Sequence, residues 1–132
     1  MRRALVVLAC LPLAACGAAQ QSSSSKFPGE QGKVAQVVDD LASAGSSRKP
    51  AKICSDVLSK ELVAELKSAG GNCEAEMKAA IEDASDFDLQ VQSVKVDGNT
   101  ATAQVRQGKD GKTATFTFVK ENGAWRASQL GG

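Results

Sequence analysis

The spacing of apolar residues changes once along the chain, from a helical period to a strand period. Between Pro28 and Ala84 apolar residues recur three and four positions apart, as on the buried face of an amphipathic helix. From Phe87 onward they alternate with polar residues, which is the period of a half-buried strand. Helices followed by strands predict an α+β domain with the helices on one face of a sheet.

The helical half predicts three helices. The first ends near Gly45, the second starts at Pro50 and, with a break near Ser59, stops at Gly70-Gly71. The third follows Asn72, whose side chain suits an N-cap. Their apolar faces are Val34, Val37, Val38 and Leu41 in the first, Ile53, Cys54, Val57, Leu58, Leu62 and Leu66 in the second, and Cys73, Met77, Ala80, Ile81 and Ala84 in the third.

The strand half predicts a curved, four-stranded antiparallel sheet. Its alternation changes phase between Val91 and Val94, which indicates a bulge or bend near Ser93. Apolar runs are separated by pairs that tolerate positive φ and suit tight hairpin turns, namely Asp97-Gly98, Asp110-Gly111 and Asn122-Gly123. Threonines such as Thr102 and Thr115 alternate with the apolar residues. They predict either a solvated face or a flat polar surface for a partner, including a second copy of the chain.

The first sixteen residues resemble a bacterial lipoprotein signal. Arg2 and Arg3 precede a short apolar run, ALVVLACL, which is too short to span a bilayer and leads to Leu13-Ala14-Ala15-Cys16. This order resembles the lipobox, which implies that residues 1–15 are a signal peptide and that Cys16 carries acyl chains such as palmitate. The protein is then exported and anchored by lipid to the outer face of the cytoplasmic membrane. An ordinary secretory peptide cleaved elsewhere and an N-terminal membrane helix are the alternatives.

The segment after Cys16 predicts a tether. Residues 16–32 include four consecutive serines flanked by Gln, Gly and Pro, a composition typical of flexible linkers. The folded domain is therefore expected over residues 33–132. Glycosylation of the serine run is a second interpretation of the same segment.

Two of the four cysteines remain for the domain, because Cys10 lies in the signal peptide and Cys16 is expected to be lipidated. Cys54 and Cys73 both lie on apolar faces of predicted helices, and disulfides persist in exported proteins. We therefore expect a Cys54–Cys73 disulfide, with two buried free thiols as the alternative.

Composition argues against several functions. The chain has no His and no Tyr, so the usual groups for acid–base catalysis and metal binding near neutral pH are missing. The net charge of +1 becomes −1 when Arg2 and Arg3 leave with the signal peptide, which does not favour nucleic-acid binding. The acidic cluster Glu82, Asp83, Asp86 and Asp88 lacks the pattern of a calcium loop. No metal and no cofactor are therefore expected.

Short motifs resemble the nuclear transport factor 2-like cone fold, in particular its small actinobacterial lipoproteins. They are Ile53-Cys54-Ser55-Asp56-Val57-Leu58-Ser59, Gly71-Asn72-Cys73 and the ending Asn122-Gly123-Ala124-Trp125-Arg126. The resemblance implies a sheet that wraps around helices and leaves a cavity or a partner surface. The candidate lining is apolar and comprises Phe87, Leu89, Phe116, Phe118 and Trp125, although Trp125 is first of all expected to anchor the core.

The function expected from these observations is non-enzymatic binding of a small apolar ligand or of an envelope protein. Two alternatives stay open. One is a cone-fold enzyme of isomerase or cyclase type with a buried carboxylate, Asp86 or Asp88, as its base. The other is a purely structural surface protein.

Overall fold

The helices precede the sheet in the chain, as the change of period predicts. The computed structural model describes residues 22–84, 86–108 and 111–131. The helices are α1 (Gly29–Ser46), α2 (Pro50–Lys52, continued by a π-helical turn Ile53–Val57), α3 (Lys60–Ser68) and α4 (Cys73–Asp83). The strands are β1 (Leu89–Asp97), β2 (Thr100–Gln107), β3 (Lys112–Glu121) and β4 (Ala124–Leu130). The α+β class is therefore confirmed.

The predicted second helix is two helices, so the described residues hold four helices rather than three. Its interruption lies at Leu58 and Ser59. Leu58 forms a parallel bridge with Ala127 of β4, and the backbone N–H of Ser59 donates to the Ala127 carbonyl at 2.8 Å. The Ser59 hydroxyl then accepts from the Leu62 N–H at 3.1 Å and caps α3. The break predicted near Ser59 is thus a complete interruption of the helix. The helical period of the sequence does not reveal its cause, which is contact with the last strand.

The four strands form an antiparallel meander in the order β1-β2-β3-β4. The predicted irregularity near Ser93 is confirmed, because the register of β1 against β2 shifts between Val91 and Ser93. A second shift lies between Thr117 and Phe118 where β3 pairs with β4. Such bulges bend a strand and increase its twist. The last hairpin turns at Asn122-Gly123, where both φ angles are positive, at 50° and 80°.

One face of the sheet packs on the helices and the other faces solvent. Val105, Phe116 and Phe118 point into the core and belong to one cluster with Val34 and Val38 of α1. On the opposite face Thr102, pairing with Thr117, and Thr115, pairing with Gln104, lie toward solvent. The threonine face is thus a solvated one, and pairing of two copies through it remains a prediction.

Residues 22–32, predicted to belong to the tether, are part of the fold. Ser24–Lys26 form a 3₁₀ turn and α1 begins at Gly29, ahead of the expected boundary at residue 33. We call Ser22–Lys26 the N-terminal strap. The Asp39 carboxylate accepts from the backbone N–H groups of Ser23 and Ser24, both at 3.0 Å. The segment is ordered although its composition suits a linker, because a carboxylate on α1 accepts hydrogen bonds from the free N–H groups of the turn.

The strap also joins α1 to the first strand. The Ser22 hydroxyl donates to Asp39 at 2.8 Å, and the Ser23 hydroxyl accepts from the backbone N–H of Val91 at 3.2 Å. Ser23 is 2% exposed, so this bond is shielded from water. The strap therefore binds the edge strand β1 at its bulge.

The predicted disulfide is confirmed. Cys54 in the π-helical turn is bonded to Cys73 at the first position of α4, with Cα atoms 6.1 Å apart. Between them lies α3, of which no residue is buried. The crosslink thus holds the least buried helices against the rest of the domain.

Candidate functional site

A recess lies where the end of α1 meets the open end of the sheet. It has a volume of about 680 Å³, and we call it the sheet groove. Its apolar wall consists of Leu41 from α1, Phe87 just before β1, Leu89 at the start of β1, and Phe116 and Leu130 from the sheet. All of these except Phe116 are partly exposed. This volume and this lining are typical of small-molecule sites.

Phe87 is fixed in the wall by the backbone on either side of it. The Asp88 N–H donates to the Asp86 carboxylate at 3.1 Å, and the Asp88 carbonyl accepts from the Gly108 N–H at 2.8 Å. The ring itself packs on Gly45 of α1, where a methyl group in place of hydrogen would overlap it. The absence of a side chain at Gly45 thus lets Phe87 lie against the helix.

A second recess, the strap groove, adjoins the first and has a volume of about 630 Å³. It shares Asp86, Phe87 and Leu89 with the sheet groove. Its far wall includes Ser22 of the strap and Asp39 of α1. Phe87 therefore forms a partition between two neighbouring recesses, one of which reaches the first described residue of the chain.

The rims of the two grooves are acidic. Among the described lining residues there are five carboxylates and one ammonium group, which are Asp39, Asp40, Asp83, Asp86 and Asp88 against Lys112. Asp39 is engaged by the strap, whereas Asp83, Asp86 and Asp88 are exposed. Within the described residues no group of three or more potential ligands is arranged to hold a metal ion. The site thus combines apolar walls with a negative rim.

The structure brings together three of the five predicted lining residues. Phe87, Leu89 and Phe116 line the sheet groove. Phe118 and Trp125 instead lie in the core, with 0% and 5% of their surface exposed. Strand alternation assigned all of them correctly to the inner face, but α1 covers the middle of that face and leaves only its end open.

Trp125 has a structural contact at its polar end. Its indole N–H donates to the Glu30 carboxylate at 2.7 Å. The same carboxylate accepts from Lys33 at 2.8 Å and from Lys120 at 3.2 Å. Hydrogen bonds from Lys33, Trp125 and Lys120 lower the pKa of Glu30 from 4.5 to about 2. This carboxylate joins the start of α1 to β3 and β4, and it is held ionised.

The Glu30 contacts predict a pH dependence of stability. Because folding lowers the pKa of Glu30, its contribution is complete above pH 4.5 and is lost as the pH falls toward 2. Glu30→Gln should therefore reduce the loss of stability between pH 5 and pH 2, as measured by denaturant unfolding at each pH. Glu61→Gln, at an exposed glutamate in the first turn of α3, is the matched control and should retain the wild-type slope. Equal slopes for all three proteins would contradict the assignment.

Leu41 and Leu130 line the sheet groove, although neither is among the lining residues predicted from the sequence. Both fit the apolar periods, Leu41 on α1 and Leu130 in the last strand, so a signal for burial was present. Periodicity does not show which inward-facing residues a helix covers and which lie at the open end of the sheet. The sequence therefore gave no sign that these two residues line the groove. Cys16, the predicted lipidation site, lies outside the described residues.

Comparison of the chain with protein-family models, with curated proteins and with solved structures gave no significant match. Within residues 22–84, 86–108 and 111–131, no helix has the length and apolar character needed to cross a membrane.

Proposed function

We propose that this protein is an exported lipoprotein, anchored through Cys16 to the outer face of the cytoplasmic membrane, whose domain is a non-enzymatic binding module. Its ligand enters the sheet groove. The observation that carries the proposal is the set of partly exposed apolar side chains around Phe87, in a recess of about 680 Å³. Packing of the core does not require such a recess. Exposed apolar surface commonly marks a binding site.

The proposal includes a cone-like arrangement related to the nuclear transport factor 2-like fold. Three features support it, namely helices on one face of a bulged sheet, the short parallel bridge between Leu58 and Ala127, and a recess at the open end of the sheet. Fold by itself does not imply activity. The functional part of the proposal therefore rests on the groove.

A cone-fold enzyme is the second candidate, and one observation favours it. Asp86 lines both grooves beside Phe87. Against it, Asp86 is exposed and one of its oxygens already accepts the Asp88 N–H. A carboxylate becomes an effective base near neutral pH when burial or a neighbour raises its pKa. Turnover in isomerase and hydrolase screens that disappears in Asp86→Asn would favour this candidate over binding alone.

Ligand binding can be measured on soluble protein carrying Cys16→Ala. We expect N-phenyl-1-naphthylamine, an uncharged apolar dye, to bind saturably with increased fluorescence. Phe87→Ala should weaken its binding by roughly tenfold to a hundredfold, because removing an aromatic wall forfeits about 1.5–3 kcal/mol of apolar burial. Thermal unfolding of each variant shows whether the fold is retained.

The control variant is Leu66→Ala, which truncates a half-buried leucine of α3 outside both groove linings. It should bind the dye as the parent protein does. Absence of saturable binding to the folded parent, or equal weakening by both substitutions, would refute the proposed binding site.

A further inference from the structure

We propose that the two grooves open toward the bilayer that holds Cys16, and that they take an acyl chain of a membrane lipid whose headgroup carries an ammonium group. This inference rests on the proposed function and specifies its ligand. It follows from where the chain enters the fold, from the apolar lining and from the sign of the rim charge.

The first step concerns the length of the tether. Asp39 and Val91 hold the strap through four hydrogen bonds, so the fold includes Ser22, ahead of the predicted boundary at residue 33. Six peptide steps then join Ser22 to Cys16, and they reach at most about 21 Å. A tether extending to residue 32 would have reached about 56 Å. The strap thus holds the domain close to its anchor.

The second step concerns the side of the domain that lies close to the anchor. Ser22 is part of the wall of the strap groove, and this groove shares Asp86, Phe87 and Leu89 with the sheet groove. A domain of about 110 residues has a radius of gyration of about 13 Å, so its full width exceeds the reach of the six steps. The groove is therefore on the part of the surface that the anchor brings nearest to the bilayer.

The third step identifies the occupant. Leu41, Phe87, Leu89 and Leu130 offer partly exposed apolar surface that suits a hydrocarbon chain. The described rim holds five carboxylates and one ammonium group, so it repels a phosphoglycerol headgroup or a free fatty-acid carboxylate. An ethanolamine headgroup places an ammonium group where Asp86 and Asp88 can attract it. A lipid with an ammonium headgroup fits both the walls and the rim.

The test uses the full-length lipidated protein in vesicles of equal parts phosphatidylethanolamine and phosphatidylglycerol. One or the other lipid carries, at trace level, a photoactivatable acyl chain. We expect labelling of the peptide that contains Asp86–Gln90, roughly threefold stronger with the ethanolamine probe than with the glycerol probe, as attraction between exposed charges allows. In Asp86→Asn/Asp88→Asn this preference should fall well below threefold, whereas Asp97→Asn, an exposed carboxylate outside both grooves, should keep it.

Two further variants test whether labelling depends on the short distance between the groove and the membrane anchor. Asp39→Ala releases the strap and lengthens the free tether, and a Gly-Ser insertion of about twelve residues after Ala19 lengthens it without touching the fold. Both should reduce labelling of the groove peptide by the ethanolamine probe severalfold.

Several results would overturn the inference. They are labelling confined to the threonine face or to α3, equal labelling by the two headgroups, and labelling that is insensitive to the insertion. If any of these occurs while the dye still binds at Phe87, the lipid assignment fails and the binding function stands. If dye binding fails as well, the proposed function fails with it.

Discussion

Replacing Cys16 by alanine should move nearly all of the protein from the membrane fraction to the soluble fraction. The thiol of Cys16 is the proposed site of acylation, and two or three acyl chains give stable anchoring where a single chain is marginal. The described part of the chain adds no membrane-spanning helix that could replace this anchor. Fractionation of cells, together with uptake of labelled fatty acid, measures the effect.

The matched control is Cys10→Ala, which removes a cysteine within the apolar run of the signal segment. This variant should still take up fatty acid and remain with the membrane. A Cys16→Ala protein that stays in the membrane fraction and still incorporates fatty acid would show that the lipobox assignment is wrong.

Removing the disulfide with Cys54→Ser/Cys73→Ser should destabilise the domain by about 3 kcal/mol. The crosslink closes a loop of about 20 residues, and the chain-entropy model assigns this stabilisation to such a loop. For a domain of about 100 residues, this corresponds to a decrease in Tm of roughly 12–24 °C. Thermal unfolding in an otherwise identical soluble background measures the decrease.

Because of where the disulfide lies, its removal should destabilise one part of the fold more than the rest. No residue of α3 is buried, and Ile81 is the buried residue of α4. These helices have little apolar burial to hold them once the crosslink is gone. Hydrogen exchange should therefore accelerate in α3 and α4 more than in the sheet.

Reduction provides the control for the double variant. A thiol reductant should lower the Tm of the parent protein and leave that of Cys54→Ser/Cys73→Ser unchanged. If the variant and the parent unfold at the same temperature without reductant, the disulfide contributes nothing to stability.

Much of the fold could be predicted from local signals. Asn72 caps α4 through its side chain, accepting from the Glu74 N–H at 2.9 Å, and Asn122-Gly123 forms a turn with two positive φ angles. The bulge between Val91 and Ser93 corresponds to a change of phase in the apolar alternation. Each of these features depends on residues within a few positions of one another, so the sequence pattern contains the information.

The candidate site could be predicted only in part. Alternation places Phe116 and Phe118 on the same face of β3, yet Phe116 lines the groove and Phe118 lies wholly in the core. The difference arises from how far α1 extends across the sheet. The helix ends at Ser46, and Phe87 packs on Gly45 at that end.

By itself, the sequence determined the helical and strand periods and the meander, because spacing and turn residues suffice for these. It predicted the Cys54–Cys73 disulfide with two free thiols as the alternative, and the structure decided between them. The tertiary structure alone showed that contact with β4 holds the chain extended at the break predicted near Ser59. It alone also placed the strap in the fold, where Asp39 fixes serines that otherwise suit a linker. Hydrogen bonds between residues distant in the chain override local composition at both places. The local sequence around either residue of such a hydrogen bond does not identify the other residue.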